Sequence, residues 1–155
     1  MRGTLAIMAL PDFDSDGDMP PGVYPVTLAE ALARFGGGSA QRRAVAGRLD
    51  RIYQMAASTG HLARFVVFGS FVTDKPAPND LDVVLIMADS FDLSAVPEDV
   101  AVVFRHGNAD AQLGASVFWS TRSGAFGGEQ AMIEYWQATR AGGLRGILEI
   151  VPENL

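Results

Sequence analysis

The chain has 155 residues, which is long enough for one globular domain. Hydrophobic residues make up 48% and charged residues 19%, a composition that excludes a disordered chain. Its formal net charge of −6 argues against tight, non-specific nucleic-acid binding, which needs clustered lysine and arginine, so no nucleic-acid partner is expected. The absence of cysteine excludes disulfide bonds, thiolate metal sites and cysteine nucleophiles.

Residues 1–26 are predicted to be an irregular segment, because four aspartates crowd before the turn residues Pro20-Pro21-Gly22. The apolar run at the start of this segment stops at Pro11 and is shorter than the apolar core of a secretory signal. No apolar run approaches the roughly 20 residues that a membrane span needs. We therefore expect a cytoplasmic protein without a membrane partner, folded as a single domain over residues 1–155.

Two helices are predicted next. Thr27 and Glu30 have the spacing of a capping box, which predicts a short helix that ends before the glycines at 36–38. Ser39 is predicted to cap a second helix that runs to about Thr59, because apolar residues recur there at helical spacing.

Four strands are predicted in the rest of the chain, at Arg64–Phe68, Asp80–Met87, Ala115–Trp119 and Ile147–Val151. Helices are expected between them, one over residues 96–113 with an interruption near Gly107 and one over residues 129–139. The pattern predicts a mixed α/β (α+β) fold, with a small mixed sheet of about four or five strands and flanking helices.

The segment that carries chemistry begins the second predicted strand, at Asp80 and Asp82. Alternate strand residues share a face, so these two carboxylates point the same way, roughly 7 Å apart by strand rise. Like charges at this spacing repel unless a cation lies between them. Carboxylate oxygens suit Mg²⁺, which commonly takes one or two carboxylates together with phosphate oxygens of a substrate. The pair therefore predicts a Mg²⁺–nucleotide site.

The turn after the first predicted strand supplies a complementary phosphate site. Gly69 has no Cβ, so backbone N–H groups can approach a phosphate closely, and Ser70 adds a hydroxyl donor. A helix that began here would direct its positive end at the anion. Lys75, the only lysine of the chain, follows in the loop and could neutralise a triphosphate, although an exposed loop lysine is an equally good interpretation.

These residues resemble the core motif of the nucleotidyltransferase superfamily, which includes polymerase β-like enzymes and minimal antitoxin-type nucleotidyltransferases. The match is Phe68-Gly69-Ser70, then nine residues, then Asp80-Leu81-Asp82-Val83. The sequence around this motif, including residues 20–36 and 145–150, resembles a bacterial branch of that superfamily.

The resemblance implies that Asp80 and Asp82 are catalytic and hold the metal, while Gly69, Ser70 and, by its position, Lys75 contact the nucleotide. It implies transfer of a nucleoside monophosphate from a Mg²⁺-bound nucleoside triphosphate, with ATP the expected one, to a hydroxyl acceptor. By analogy with antitoxin-type members, that acceptor belongs to a partner protein.

Active members of that superfamily carry a third acid on a neighbouring strand. The strand best placed for it here is residues 115–119, where alternation leaves either Ser116 and Phe118 or Ala115, Val117 and Trp119 on the site's face. None of these residues is acidic, and Ser116 is at the position where the carboxylate is expected. A hydroxyl is a poor metal ligand and no general base at neutral pH. Asp110 and Glu129 are candidate substitutes without support from spacing. The alternatives are therefore a catalytically degenerate nucleotide-binding or protein-interaction module on the same fold, a structural subunit with a residual motif, or a surface loop whose aspartates cap turns.

Two arginines and two histidines are weaker candidates for binding or catalytic residues. Arg140 and Arg145, after the helix with Tyr135 and Trp136, could bind a phosphate or stack on a base. The favoured interpretation is a solvated helix end with its aromatic residues in the core. His61 and His106 are interpreted as isolated, because neither has a partner at metal or triad spacing.

Overall fold

The fold is built around one mixed β-sheet, seen in a computed structural model that describes residues 10–153. The sheet has five strands in the order β1-β5-β2-β3-β4. β2 is antiparallel to both of its neighbours, whereas β1 pairs with β5 and β3 with β4 in parallel. The strands are β1 (Val23–Val26), β2 (Leu62–Phe68), β3 (Leu81–Met87), β4 (Ala115–Thr121) and β5 (Ile147–Ile150). The predicted mixed α/β fold is confirmed.

Two helices cover one face of this sheet. α1 (Leu28–Phe35) begins with the predicted capping box, in which the Thr27 hydroxyl accepts from the Glu30 backbone and the Glu30 carboxylate accepts from the Thr27 backbone. α2 (Ala40–Ser58) begins at the predicted cap, Ser39. Their apolar faces pack on alternate strand residues to form the main core, including Leu49, Ile52, Phe65, Val83 and Leu85.

A smaller core lies on the opposite face of the sheet. α5 (Glu129–Tyr135) places Ile133 against Val66, Val84 and Ile86. β3 is therefore buried on both faces, which explains why its sequence is an uninterrupted apolar run after Asp82. This double cover leaves the end of the sheet where β3 begins as the place for polar groups.

Three boundaries differ from the sequence prediction. Residues 23–26 fall in the segment predicted to be irregular, but they form β1 because the edge of β5 offers a parallel partner. Residues 1–9 of that segment lie outside the described residues. The predicted helix over 96–113 is divided into α3 (Glu98–Ala101), a 3-10 turn and α4 (His106–Leu113). The predicted interruption near Gly107 is found two residues earlier, at Arg105.

The last helix ends at Tyr135, four residues earlier than predicted. Residues 137–145 instead form a tight hairpin, which we call the arginine hairpin. In it the Arg145 N–H donates to the Gln137 carbonyl and the Thr139 N–H donates to the Gly143 carbonyl. Among the described residues, no helix is long and apolar enough to cross a membrane.

Candidate functional site

A cavity of about 740 Å³ lies where β2 ends and β3 and β4 begin. The loop after β2 and the arginine hairpin complete its walls. All of the site residues predicted from the sequence line this cavity, namely Gly69, Ser70, Lys75, Asp80, Asp82 and Ser116. The fold thus brings together residues that are spread over nearly fifty positions of the chain.

The two carboxylates differ in their surroundings. Asp80 is exposed and precedes β3, whereas Asp82 is the second residue of the strand and half-buried. Burial raises the pKa of Asp82, the negative charge of Asp80 raises it further, and Arg145 and Arg140 oppose both effects. No described residue donates a hydrogen bond to the Asp82 carboxylate. The charged form of Asp82 is therefore poorly compensated by the protein, which is the condition under which a bound cation stabilises most.

Gly69 contacts this carboxylate through its backbone. Its φ of +82° lies in the left-handed region, and a Cβ at this position would overlap the Asp82 carboxylate. The contact follows from the sheet, because Phe68, the residue before it, pairs with Asp82 across β2 and β3. Only glycine allows the chain to turn this closely over the carboxylate.

Only a short turn follows Gly69, and not a helix that could direct its positive end at an anion. Ser70 begins a 3-10 turn of three residues, Ser70–Val72, whose carbonyl at Ser70 accepts from the Thr73 N–H and hydroxyl. A single turn does not provide the aligned peptide dipoles of a longer helix. Ser70 therefore reaches the cavity as a polar side chain on a fixed turn, without a helix terminus behind it.

A buried arginine that the sequence analysis missed holds the following loop. Arg42 on α2 is 6% exposed, and its guanidinium donates to the carbonyls of Phe35, Phe71, Thr73 and Lys75 at 2.6–3.0 Å. Burial lowers its pKa, and the charge of Asp74 opposes this shift. Its burial could have been predicted from its position three residues before Val45, on the apolar face of α2.

Arg42 therefore determines the path of residues 71–75, between the Gly69 turn and the two aspartates. Lys75, at the end of this segment, has an exposed side chain at the edge of the cavity while its carbonyl is held by Arg42. Lys75 is thus an exposed lysine on a loop whose backbone is held by Arg42, and its role in binding a nucleotide stays a prediction.

The arginine hairpin places two more cations in the cavity. Arg140 is exposed, whereas Arg145 forms an ion pair with Asp18 at 3.3 Å. Their positive charges oppose the rise in the pKa of Asp82 that burial and Asp80 cause. The predicted helix end is therefore wrong for residues 137–145, which form a hairpin, whereas the predicted solvation is found at Arg140. The sequence shows two arginines on either side of Gly142-Gly143, which is compatible with a turn. The hairpin that directs both arginines into the cavity depends on backbone hydrogen bonds that cannot be predicted from the sequence.

Ser116 lies beside Asp82, because the two residues pair across the parallel strands β4 and β3. Neither proposed substitute for a third acid reaches the cavity: Asp110 is exposed on α4, and Glu129 pairs with Arg64 at 3.4 Å and Arg122 at 2.7 Å. Within residues 10–153 there is no group of three or more His, Cys, Asp or Glu side chains that could hold a metal. The acidic part of the site is a pair.

Aromatic rings line the rest of the cavity. Phe68, Phe118 and Trp136 pack with ring centroids 4.6–6.4 Å apart and all contribute to its lining. His106 stacks on Phe118 at 4.7 Å, and its Nδ1 lies 3.0 Å from the Val117 carbonyl. His106 is therefore not the isolated residue that the sequence suggested. His61 lies elsewhere, with its Nδ1 3.0 Å from the Ser90 hydroxyl.

The donor set fits one hard cation. Two carboxylates, one of them with a raised pKa, offer oxygen ligands on one face, and phosphate oxygens of a substrate could complete the coordination of Mg²⁺. With three cationic side chains around it, the cavity can hold a phosphorylated ligand and a metal ion together.

Comparison with known proteins identifies the family of the chain but gives no activity for it. No curated protein and no solved structure matches the sequence. The sequence model of a family of unknown function, DUF6932, matches residues 11–151, which include every strand and every residue of the cavity. The chain therefore belongs to the DUF6932 family.

Proposed function

We propose that this protein is a Mg²⁺-dependent nucleotidyltransferase that transfers a nucleoside monophosphate from a nucleoside triphosphate to a hydroxyl acceptor. ATP is the expected nucleotide, and the cytoplasm is the expected location. The observation that carries the proposal is the contact of Gly69 with the Asp82 carboxylate, beside Asp80, in a cavity with three cationic side chains. The resemblance of the same residues to the nucleotidyltransferase motif supports it independently.

In this proposal Asp80 and Asp82 hold the metal. Mg²⁺ supplies charge that screens the phosphates and stabilises the leaving group. The absence of a Cβ at Gly69 makes room for the Asp82 carboxylate, so Gly69 positions the metal ligand and does not itself bind the phosphate. Lys75, Arg140 and Arg145 bind the non-bridging phosphate oxygens. These contacts orient the triphosphate so that its α-phosphorus faces the acceptor.

The aromatic wall suits the rest of the nucleotide. Phe68, Phe118 and Trp136 are half-buried and present ring surface to the cavity, on which a base can stack. Stacking tolerates every base, so this wall supports nucleotide binding without selecting the base.

A partner protein is the proposed source of the acceptor hydroxyl, as for antitoxin-type nucleotidyltransferases. A second, mostly apolar cavity of about 640 Å³ shares Trp136 with the site. The exposed rings of Phe126 and Tyr135, 92% and 69% accessible, border it. Exposed apolar surface of this kind commonly marks protein contacts, which supports a protein acceptor.

The proposal is tested by incubating the purified protein and its co-purified partners with Mg²⁺ and α-labelled ATP. Incorporation of label into protein and a rise in melting temperature are expected. Asp82→Asn should abolish incorporation and the temperature rise. Asp89→Asn, the same chemical change at an exposed aspartate outside the cavity, is the matched control and should leave both intact. Unchanged labelling in Asp82→Asn would contradict the site assignment.

The second candidate is a nucleotide-binding or protein-interaction module without catalysis. Ser116 favours it, because a hydroxyl lies beside Asp82 where active relatives of the motif carry an acid. This candidate predicts that Mg²⁺ and ATP raise the melting temperature without incorporation of label. No response to nucleotide at any concentration would instead favour a structural subunit with a residual motif.

A further inference from the structure

We infer that His106 is the proton acceptor of the transfer reaction, in the role that the missing third carboxylate would have. This inference rests on the proposed function. It starts from the cavity, in which His106 shares the lining with both aspartates although it lies more than twenty residues from them in the chain.

The hydrogen bond of His106 fixes which ring nitrogen is free. Its Nδ1 lies 3.0 Å from the Val117 carbonyl, and a carbonyl oxygen can only accept, so Nδ1 carries a proton. In the neutral ring Nε2 is then an unprotonated acceptor. The stacking of the ring on Phe118, at 4.7 Å and an interplanar angle of 35°, holds it against the cavity wall. The histidine is thus oriented by two contacts, as a general base must be.

The other groups of the cavity do not suit this role. Asp80 and Asp82 are engaged by the metal in the proposed function, and Lys75, Arg140 and Arg145 are cations that bind phosphate. Ser116 and Ser70 carry hydroxyls, which accept no proton at neutral pH. The five charged side chains that share the cavity lining with His106 are Lys75, Asp80, Asp82, Arg140 and Arg145. On its own helix, Asp110 lies one turn further along and Arg105 is paired with Glu98 at 2.8 Å.

The proposed transfer forms one bond to the α-phosphorus, breaks another and moves one proton. The acceptor hydroxyl oxygen attacks the α-phosphorus, its proton passes to Nε2 of His106, and the bond from the α-phosphorus to the bridging oxygen breaks. Pyrophosphate leaves, and the imidazolium returns its proton to water. Nε2 is available because Val117 keeps the Nδ1 proton in place.

His106→Asn is the sharpest variant, because the asparagine amide can still donate to the Val117 carbonyl while Nε2 is lost. We expect kcat for nucleotide transfer to fall by about 100-fold or more, the usual effect of removing a general base. KM for ATP should stay unchanged, and the acidic limb of the pH profile, which records protonation of the base, should disappear. Melting temperature in the absence of ligand reports whether the variant is folded.

The chain contains a matched control, since its only other histidine, His61, lies outside the cavity. His61→Asn should leave kcat, KM and the pH profile unchanged. The two imidazoles also give a second measurement: in protein labelled with ¹⁵N-histidine, Mg²⁺ and ATP should shift the His106 signals and leave the His61 signals in place.

The outcomes separate this inference from the proposed function. Transfer by the wild-type protein that persists in folded His106→Asn, or that keeps its acidic limb, overturns the role of His106 and leaves the function intact. Transfer that fails because KM for ATP rises while kcat is kept assigns His106 to binding and also overturns it. A wild-type protein that neither transfers the nucleotide nor binds it overturns both.

Discussion

Replacing Asp82 by asparagine is expected to stabilise the free protein at neutral pH while abolishing its response to Mg²⁺ and nucleotide. The carboxylate is half-buried, receives no hydrogen bond from the described residues and faces the charge of Asp80. Asparagine has nearly the same shape and no charge. The substitution therefore removes an unfavourable electrostatic interaction and leaves the packing of β3 unchanged.

The size of the gain follows from two contributions. Two charges roughly 7 Å apart in a water-like medium repel by about 0.6 kcal/mol. Partial desolvation of a charge without hydrogen bonds adds an amount at the low end of the usual 1–3 kcal/mol, and Arg140 and Arg145 offset part of the total. The expected net gain is about 1 kcal/mol, which raises the melting temperature of a domain of this size by roughly 2–4 °C.

The sign of the pH dependence gives a second measurement. The pKa of Asp82 in the folded protein is raised above its ordinary value of 3.8. Its contribution to stability is therefore fully present below pH 3.8 and is lost as pH rises through the raised pKa. The difference between Asp82→Asn and the wild type should consequently be small at acidic pH and should grow towards neutral pH.

Thermal unfolding of both proteins from acidic to neutral pH, with and without Mg²⁺ and ATP, tests this reasoning. Without ligand the variant should melt higher; with ligand the order should reverse, because only the wild type gains binding energy. Asp89→Asn should show no gain, since the exposed Asp89 carboxylate accepts the Ser123 N–H at 2.9 Å and its pKa is lowered. A lower melting temperature for free Asp82→Asn at neutral pH would refute the account of the site as an uncompensated carboxylate pair.

Three other substitutions test the frame and the walls of the cavity. Gly69→Ala should cost about 2 kcal/mol or more in urea unfolding, because φ is positive and the new Cβ overlaps the Asp82 carboxylate; equal stability would contradict that contact. Arg42→Met should cost about 3 kcal/mol or more, measured in the same way, since it leaves several buried carbonyls unpaired. Arg140→Gln should weaken ATP binding about tenfold in calorimetry, whereas Arg122→Gln, outside the cavity, should not.

The elements that the sequence predicted well are those whose signals are local. The Thr27–Glu30 capping box and the apolar runs of β2 and β3 contain their own structural information, and both were found close to their observed bounds. β1 was missed because residues 23–26 become a strand only through pairing with β5, more than 120 residues later. α5 was predicted too long because its end depends on hydrogen bonds within the arginine hairpin.

The same distinction applies to the site. The spacing of Asp80 and Asp82 predicted that the two carboxylates lie together, and both line the cavity. Ser116 was predicted at the position of a third acid, and the structure pairs it with Asp82 across β3 and β4. The burial of Arg42 could have been predicted, because a charged residue stands on the apolar face of α2. Its hydrogen-bond partners could not, because they are backbone carbonyls, which every residue has. The place of His106 in the cavity could not be predicted, because His106 begins α4 and its orientation is fixed by Val117 and Phe118 on β4.

The charges of the cavity connect these observations. The chain carries a net charge of −6, yet Lys75, Arg140 and Arg145 outnumber the two carboxylates that line the cavity with them. Because Arg145 is also paired with Asp18, the charges in and around the cavity come close to balance where the whole molecule is acidic. Ser116 adds no further negative charge beside Asp82, so the cavity is lined by two carboxylates and not by three. Under the proposed function, Ser116 and the arginines thus fit a single Mg²⁺, and the proton that serine cannot accept is left to His106.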